Sequence, residues 1–190
     1  MDRHAPTETE LKIPVGDLEA VRRRLAASRE AHQVHPVERE INTLLDTVDG
    51  EFAAANRVLR LRRIGDCQLL TLKGPASFDG VIKSREELEL VINDTEVMTS
   101  IFERLGFVPV VRYEKDRESW LADGVTVTLD HTPMGDFVEL EGPADRLVAL
   151  ASDLGLDPNA AVTGSYISLW QEHRRAHPEL DLPSDMAFER

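Results

Sequence analysis

From Thr7 to Val15 polar and apolar residues alternate, with Glu8, Glu10 and Lys12 on one face and Leu11 and Ile13 on the other. Successive side chains of an extended chain point to opposite sides, so this spacing predicts a strand. Pro14 and Gly16 stop it. From Asp17 to about Ala31 the period changes: Leu18, Val21 and Leu25 recur at helical intervals, and His35-Pro36 ends that region. Further strands are expected over residues 38–48, 57–65, 67–73, 83–91, 110–118, 125–131 and 137–141, with turns at Gly65-Asp66, Asp123-Gly124 and Met134-Gly135-Asp136. Helices are expected over residues 95–105, 144–154 and 165–173, and residues 76–80 read as a loop. About eight strands, four helices and few βαβ units predict an α+β protein with a mostly antiparallel sheet.

The strand faces carry more than the element count. Arg60 and Arg62 lie opposite Leu59 and Leu61, Lys73 shares a face with Thr71, and Arg85, Glu87 and Glu89 lie opposite Leu88 and Leu90. Lys115 aligns with Arg117, Asp130 lies opposite Leu129, and Glu139 and Glu141 lie opposite Val138 and Leu140. One reading is a sheet with an ordinary solvated face. Against it, like charges recur at i and i+2, where neighbours repel, and that face holds few Ser, Asn or Gln residues. Eight strands are also about the number that closes into a barrel holding one small ligand. If the charged face points inward, helices must cover the apolar face outside.

Composition narrows the guests of such an interior. The 190 residues are 42% apolar, enough for a core, and carry 22 Lys plus Arg against 35 Asp plus Glu, a formal charge of −13. That field repels nucleic-acid duplexes and anionic lipid, while leaving room for a local basic pocket. A single cysteine, Cys67, excludes an internal disulfide and a cysteine-rich zinc site, and fits a reducing, cytoplasmic setting. No apolar run approaches the length of a membrane span. Clustered carboxylates call for hard divalent cations, Mg²⁺ or Mn²⁺, and clustered Lys and Arg call for a polyanion. Together these are the parts of a phosphoryl-transfer site.

The opening Glu8-Thr9-Glu10-Leu11-Lys12 is the Glu-x-Glu-x-Lys signature of the CYTH superfamily, the triphosphate tunnel metalloenzymes. Leu59-Arg60-Leu61-Arg62, Thr71-Leu72-Lys73-Gly74, Arg85-x-Glu87-x-Glu89, Glu114-Lys115-Asp116-Arg117, Val127-Thr128-Leu129-Asp130 and Gly135 to Glu141 follow in the family's order, and Ser165-Tyr166 closes the series. Gly135-Asp136-Phe137 most resembles the class IV adenylate cyclase branch. The resemblance implies an eight-stranded antiparallel closed β-barrel with flanking helices and metal-ligating carboxylates at Glu8, Glu10, Asp130, Glu139 and Glu141. It also implies triphosphate binding by Lys12, Arg60, Arg62, Lys73, Arg85, Lys115 and Arg117, with Glu8, Glu10 and Lys12 as the catalytic set. Its domain would span residues 7–175, between tails at 1–6 and 176–190, the latter expected to be loose. By analogy it implies a homodimer. Relatives often carry a lysine before the Ser-Tyr pair, where this chain has Gly164. Arg112, of opposite parity to Lys115, is left out of the site.

Metal-dependent hydrolysis of a triphosphate, inorganic or organic, is the leading functional reading. Cyclisation of ATP to cyclic AMP and pyrophosphate needs the same triphosphate clamp. A non-catalytic triphosphate sensor would not need the metal carboxylates, and a ligand-free structural barrel would need neither. Outside the strands, Trp120 and Trp170 read as packing residues, and the histidines show no metal-ligand spacing.

Overall fold

The computed structural model describes residues 6–189, so the tail expected over residues 1–6 lies, but for Pro6, outside the described residues. The strands are β1 (Thr7–Val15), β2 (Ala31–Thr47), β3 (Val58–Ile64), β4 (Cys67–Lys73), β5 (Ser77–Asp79), β6 (Ile82–Ile92), β7 (Phe107–Ala122), β8 (Val125–Thr132) and β9 (Gly135–Glu141). The helices are α1 (Leu18–Ala27), α2 (Glu51–Ala54), α3 (Thr95–Arg104), α4 (Ala144–Asp153) and α5 (Tyr166–Ala176). All strand pairings are antiparallel, in the order β1-β9-β8-β7-β2-β3-β4-β6, and β6 pairs back onto β1. Eight strands therefore close a barrel, with the short β5 added beside β6.

The alternation sets which side faces out. Leu11 and Ile13 of β1, Val125, Val127 and Leu129 of β8, and Val138 and Leu140 of β9 are buried outside the barrel against Val21 and Leu25 of α1 and Leu147 and Ala151 of α4. Leu45, Leu59 and Leu61 form a second cluster with Phe52, Phe107 and the α3 residues Met98 and Phe102. The expected inversion, charge within and apolar wall without, is the observed one. The covering is incomplete: Leu88 and Leu90 of β6 remain 53% and 62% exposed. Asp17, Asp94 and Ser165 cap α1, α3 and α5 by accepting backbone N–H groups of the first turn, each such cap contributing about 1 kcal/mol.

β2 and β7 are far longer than the spacing suggests and pair along most of their length. His35-Pro36 does not end an element. It falls inside β2, between register shifts at Gln33/His35 and His35/Glu38. A bulge leaves a residue out of the ladder, and proline, lacking an N–H, is tolerated there. The Asp123-Gly124 turn forms as expected, both residues having positive φ, 47° and 71°, the backbone of a tight hairpin of the primed type. Residues 76–80, read as a loop, contribute β5.

The segment after Ala176 is packed rather than loose. Met186 is fully buried beside Tyr113, Phe137 and Trp170, and its backbone bonds to Arg112 and Glu114 of β7. None of the described helices is long and apolar enough to cross a membrane.

Candidate active site inside the barrel

The inward faces of seven strands, with Leu44 from β2, and the start of α5 line one cavity of about 110 Å³. β1 supplies Glu8, Glu10 and Lys12, β3 Arg60 and Arg62, β4 Lys73, β6 Lys83 and Arg85, β7 Tyr113, Lys115 and Arg117, and β9 Glu139. Ser165 and Tyr166 come from the N-terminus of α5. Eight cationic side chains thus face three carboxylates in the lining of a protein whose net charge is −13.

Ion pairs hold these groups. Lys73 Nζ lies 2.6 Å from Glu8 Oε2 and 2.7 Å from Glu87. Lys83 Nζ lies 2.7 Å from Glu10 Oε1. Lys12 Nζ donates to the Gly164 carbonyl at 3.1 Å, pairs with Glu139 at 3.2 Å and sits 4.3 Å above the Tyr166 ring. Burial works to lower the Lys12 pKa, but Glu139 and Glu10 outweigh it and hold the ammonium above its ordinary value. Burial also opposes the charge on Glu139, yet Lys12, Lys115 and Arg117 keep its carboxyl well below the usual range. Arg85, whose Nε donates to the Gly74 carbonyl, is shifted down chiefly by burial.

Four sequence-assigned acids lie around this lining in different ways. Glu8 and Glu10 project into it from one strand face. Glu139 lines it, but one oxygen pairs with Lys12 and the other with Arg117. Glu141 lies in register with Glu10, at the end of β9. Desolvation and the charges of Glu8 and Glu87 push its carboxyl up to about 7, a sign of crowded negative charge. Asp130, a fifth expected ligand, is absent from the lining. It is 0% exposed, and both its oxygens are engaged, by Lys115 Nζ at 2.9 Å, Arg117 at 2.7 and 2.6 Å, and Tyr166 Oη at 2.6 Å. That geometry makes it a counter-ion fixing two cations and the phenol.

Among the described residues no three Asp, Glu, His or Cys side chains converge on a point as a metal cage would. The donor chemistry still fits Mg²⁺ or Mn²⁺ at Glu8 and Glu10, because Mg²⁺ is ordinarily held by one or two carboxylates together with substrate phosphates. Asp130 does not fit that role, its oxygens being taken.

Sequence reasoning missed four interior groups. Lys83 shares the parity of Arg85, and Tyr113 that of Lys115 and Arg117, so both were readable. Glu40 and Asn42 sit on β2, where Glu38 and Glu40 form a further like-charge pair at i and i+2 and Asn42 continues their face. Glu40 is 2% exposed and faces Arg62, Lys115 and Arg117. Burial opposes its ionisation, and those three cations reverse the balance, holding the carboxyl far below its ordinary value. Arg60 Nε and Asn42 Nδ2 are buried donors with no acceptor, which an oxygen-rich anion would satisfy. Arg112 lies outside the lining and pairs with Glu114. Trp120 and Trp170 are buried in packing.

The CYTH domain model matches residues 6–152. The chain belongs to the CYTH domain family. A Methanocaldococcus jannaschii protein provisionally named an adenylate cyclase is 36% identical over 95 residues, 50% of this chain and 54% of that one. The chain thus spans about half the length of that curated relative. Among solved structures, a provisionally named adenylate cyclase from Vibrio parahaemolyticus superposes with a TM-score of 0.79 at 22% identity, over 88% of this chain and 99% of that one. A Hippeastrum protein, described as an adenylyl cyclase candidate with a dominant triphosphatase activity, gives 0.67 at 19% identity, over 88% and 95%. At these identities the structural likenesses show the CYTH barrel alone. The CYTH model ends before α5, so Ser165 and Tyr166 enter the site from outside the matched residues.

Proposed function

We propose that this CYTH barrel is a phosphohydrolase that binds a triphosphate in its interior and cleaves a phosphoanhydride bond. The observation that carries the reading is the convergence of eight cationic side chains on one lumen, beside two buried donors, Arg60 Nε and Asn42 Nδ2, that have no acceptor. An oxygen-rich anion in that space would satisfy those donors and meet the cations that converge there. Arg62, Lys115 and Arg117, fixed by Glu40 and Asp130, hold one end of the phosphate chain together with Arg60, which is held by Tyr113 and Thr71. Lys12, Lys73 and Arg85 hold the other. Lys73 exchanges Glu8 for phosphate oxygens on binding, and Lys83 exchanges Glu10. Glu8 and Glu10 thereby become free to hold a divalent cation, which when bound neutralises charge on the phosphates. Fixed cations act here by placement and by stabilising charge that develops on the bridging oxygen.

Cyclisation of ATP is the second reading, favoured by the name of the 36%-identical relative. Incubation with Mg²⁺ or Mn²⁺ and either tripolyphosphate or ATP, followed by assay of phosphate, pyrophosphate and cyclic AMP, separates the two. Phosphate release is the expected result, and cyclic AMP as the main product refutes hydrolysis as the reaction. Glu10→Ala should reduce turnover at least about 100-fold, the upper range for losing even an outer-shell partner of a metal ligand, while leaving the fold intact. Full activity in that variant would remove Glu10 from the metal site.

A further inference from the structure

β7 outruns one of its neighbours. β8 pairs with it from Asp116 to Ala122, whereas β7 begins at Phe107, so its earlier half has an edge that β8 does not reach. The final segment of the chain takes part of that edge. Met186 N donates to the Arg112 carbonyl at 3.0 Å, and Glu114 N donates to the Met186 carbonyl at 2.7 Å. Asp185 Oδ1 accepts the Arg112 N–H at 2.9 Å. Two bonds tie the segment to α5: Trp170 Nε1 donates to the Pro183 carbonyl at 3.1 Å, and Arg174 Nε donates to the Leu182 carbonyl at 2.9 Å. Residues 182–186 all lie beyond those that the CYTH model matches.

The segment reaches the lumen through one side chain. Met186 forms a parallel bridge with Tyr113, and the side chains of directly paired residues stand on the same face of a sheet. Met186 is 0% exposed and packs in the cluster that holds the Tyr113 ring, while Tyr113 itself lines the tunnel. The Tyr113 oxygen accepts from Arg60 Nη1 at 3.3 Å, and among the described residues nothing accepts its own proton. A phenol both donates and accepts, so this one presents an unused donor to the lumen. Burial opposes its ionisation, and Arg60, Arg62 and Lys115 outweigh that and shift the phenol down. Arg60 depends on the same contact. Its hydrogen-bond partners are the neutral oxygens of Tyr113 and Thr71, with Glu87 and Glu89 no nearer than 3.7 Å.

We infer that Tyr113 is a further substrate-binding residue, donating its hydroxyl proton to a phosphate oxygen while its lone pair steers Arg60, and that Met186 is a positioning residue that sets the ring from behind. These roles deepen the tunnel reading and rest on the lumen being a triphosphate site. They hold whichever phosphate bond is broken.

The test is calorimetric binding of tripolyphosphate, with Ca²⁺ replacing Mg²⁺ to slow turnover. Tyr113→Phe keeps the ring and removes the hydroxyl. The Kd should rise at least about tenfold, the size of one hydrogen bond to a charged group, with the thermal transition little changed. Met186→Ala should also raise the Kd, and Met186→Leu should restore it. In the Tyr113→Phe background the Met186→Ala effect on Kd should vanish, because coupled residues do not add. Phe188→Ala frees the same segment by removing the ring stacked on His131 and beneath Arg39, and gives the same pattern if Met186→Ala fails to fold. An unchanged Kd in Tyr113→Phe would overturn the phenol contact. Losses that add independently would overturn the role of Met186. Failure of the unaltered protein to bind tripolyphosphate would overturn the tunnel reading and these roles with it.

Discussion

Replacing Asp130 by Asn distinguishes a strut from a metal ligand. Asp130 is fully enclosed and accepts from Lys115 Nζ at 2.9 Å, Arg117 Nε at 2.7 Å, Arg117 Nη2 at 2.6 Å and Tyr166 Oη at 2.6 Å. The Tyr166 phenol is held well above its ordinary pKa, by burial first and then by Asp130 and Glu139, so it stays protonated and donates. The amide keeps the shape of the side chain but removes the charge that two enclosed cations face. Breaking a buried pair from one side typically costs about 3–5 kcal/mol, a large part of the roughly 5–15 kcal/mol that holds a domain together. For a chain of this size that corresponds to a fall in Tm of about 10 °C. Urea unfolding and thermal melts of Asp130→Asn measure it, and the Mg²⁺ concentration giving half-maximal activity should match that of the unaltered protein. A variant within about 1 kcal/mol of the original stability that has lost its metal response would refute the strut and restore Asp130 as a ligand.

Two further predictions concern stability. Glu40 is buried among cations that hold its carboxyl below the usual range. Its contribution is therefore complete above the unfolded-state pKa of about 4.3 and is lost as pH falls below it. Glu40→Gln should lower stability at pH 7 and flatten the loss between about pH 5 and pH 3, as read by urea midpoints; an unchanged acid limb would contradict the assignment. Met186→Ala should cost about 2–5 kcal/mol, as for other buried large-to-small changes, in thermal melts. A neutral effect would mean that the final segment does not support β7.

The barrel was legible because its two faces differ in kind. Glu8/Glu10, Arg60/Arg62 and Lys115/Arg117 repeat one sign at i and i+2, which an open solvated face has no reason to keep, and these residues do converge. Lys83 and Tyr113 obeyed the same parity and needed only its extension by one step. Glu40 was readable by the same rule, since Glu38 and Glu40 repeat one sign at i and i+2, whereas Asn42 carries no such mark, and the path of β2 through Pro36 depends on bulges that only pairing with β7 reveals. Asp130 shows the opposite failure. Parity placed it on the inner side correctly, but alternation cannot say whether a carboxylate meets the lumen or is consumed by the cations beside it.

The connections between strands explain where the outer wall is covered. An inside-out barrel needs helices over its apolar exterior, and a helix can be supplied only by a connection long enough to hold one. α1 lies in the β1–β2 link, α3 between β6 and β7, and α4 after β9. They bury Leu11, Val127, Leu140, Leu59 and Leu61. β3 and β4 are joined by Gly65 and Asp66 alone, and the stretch from β4 to β6 is spent on β5. No helix can arise there, so Leu88 and Leu90 stay exposed on β6.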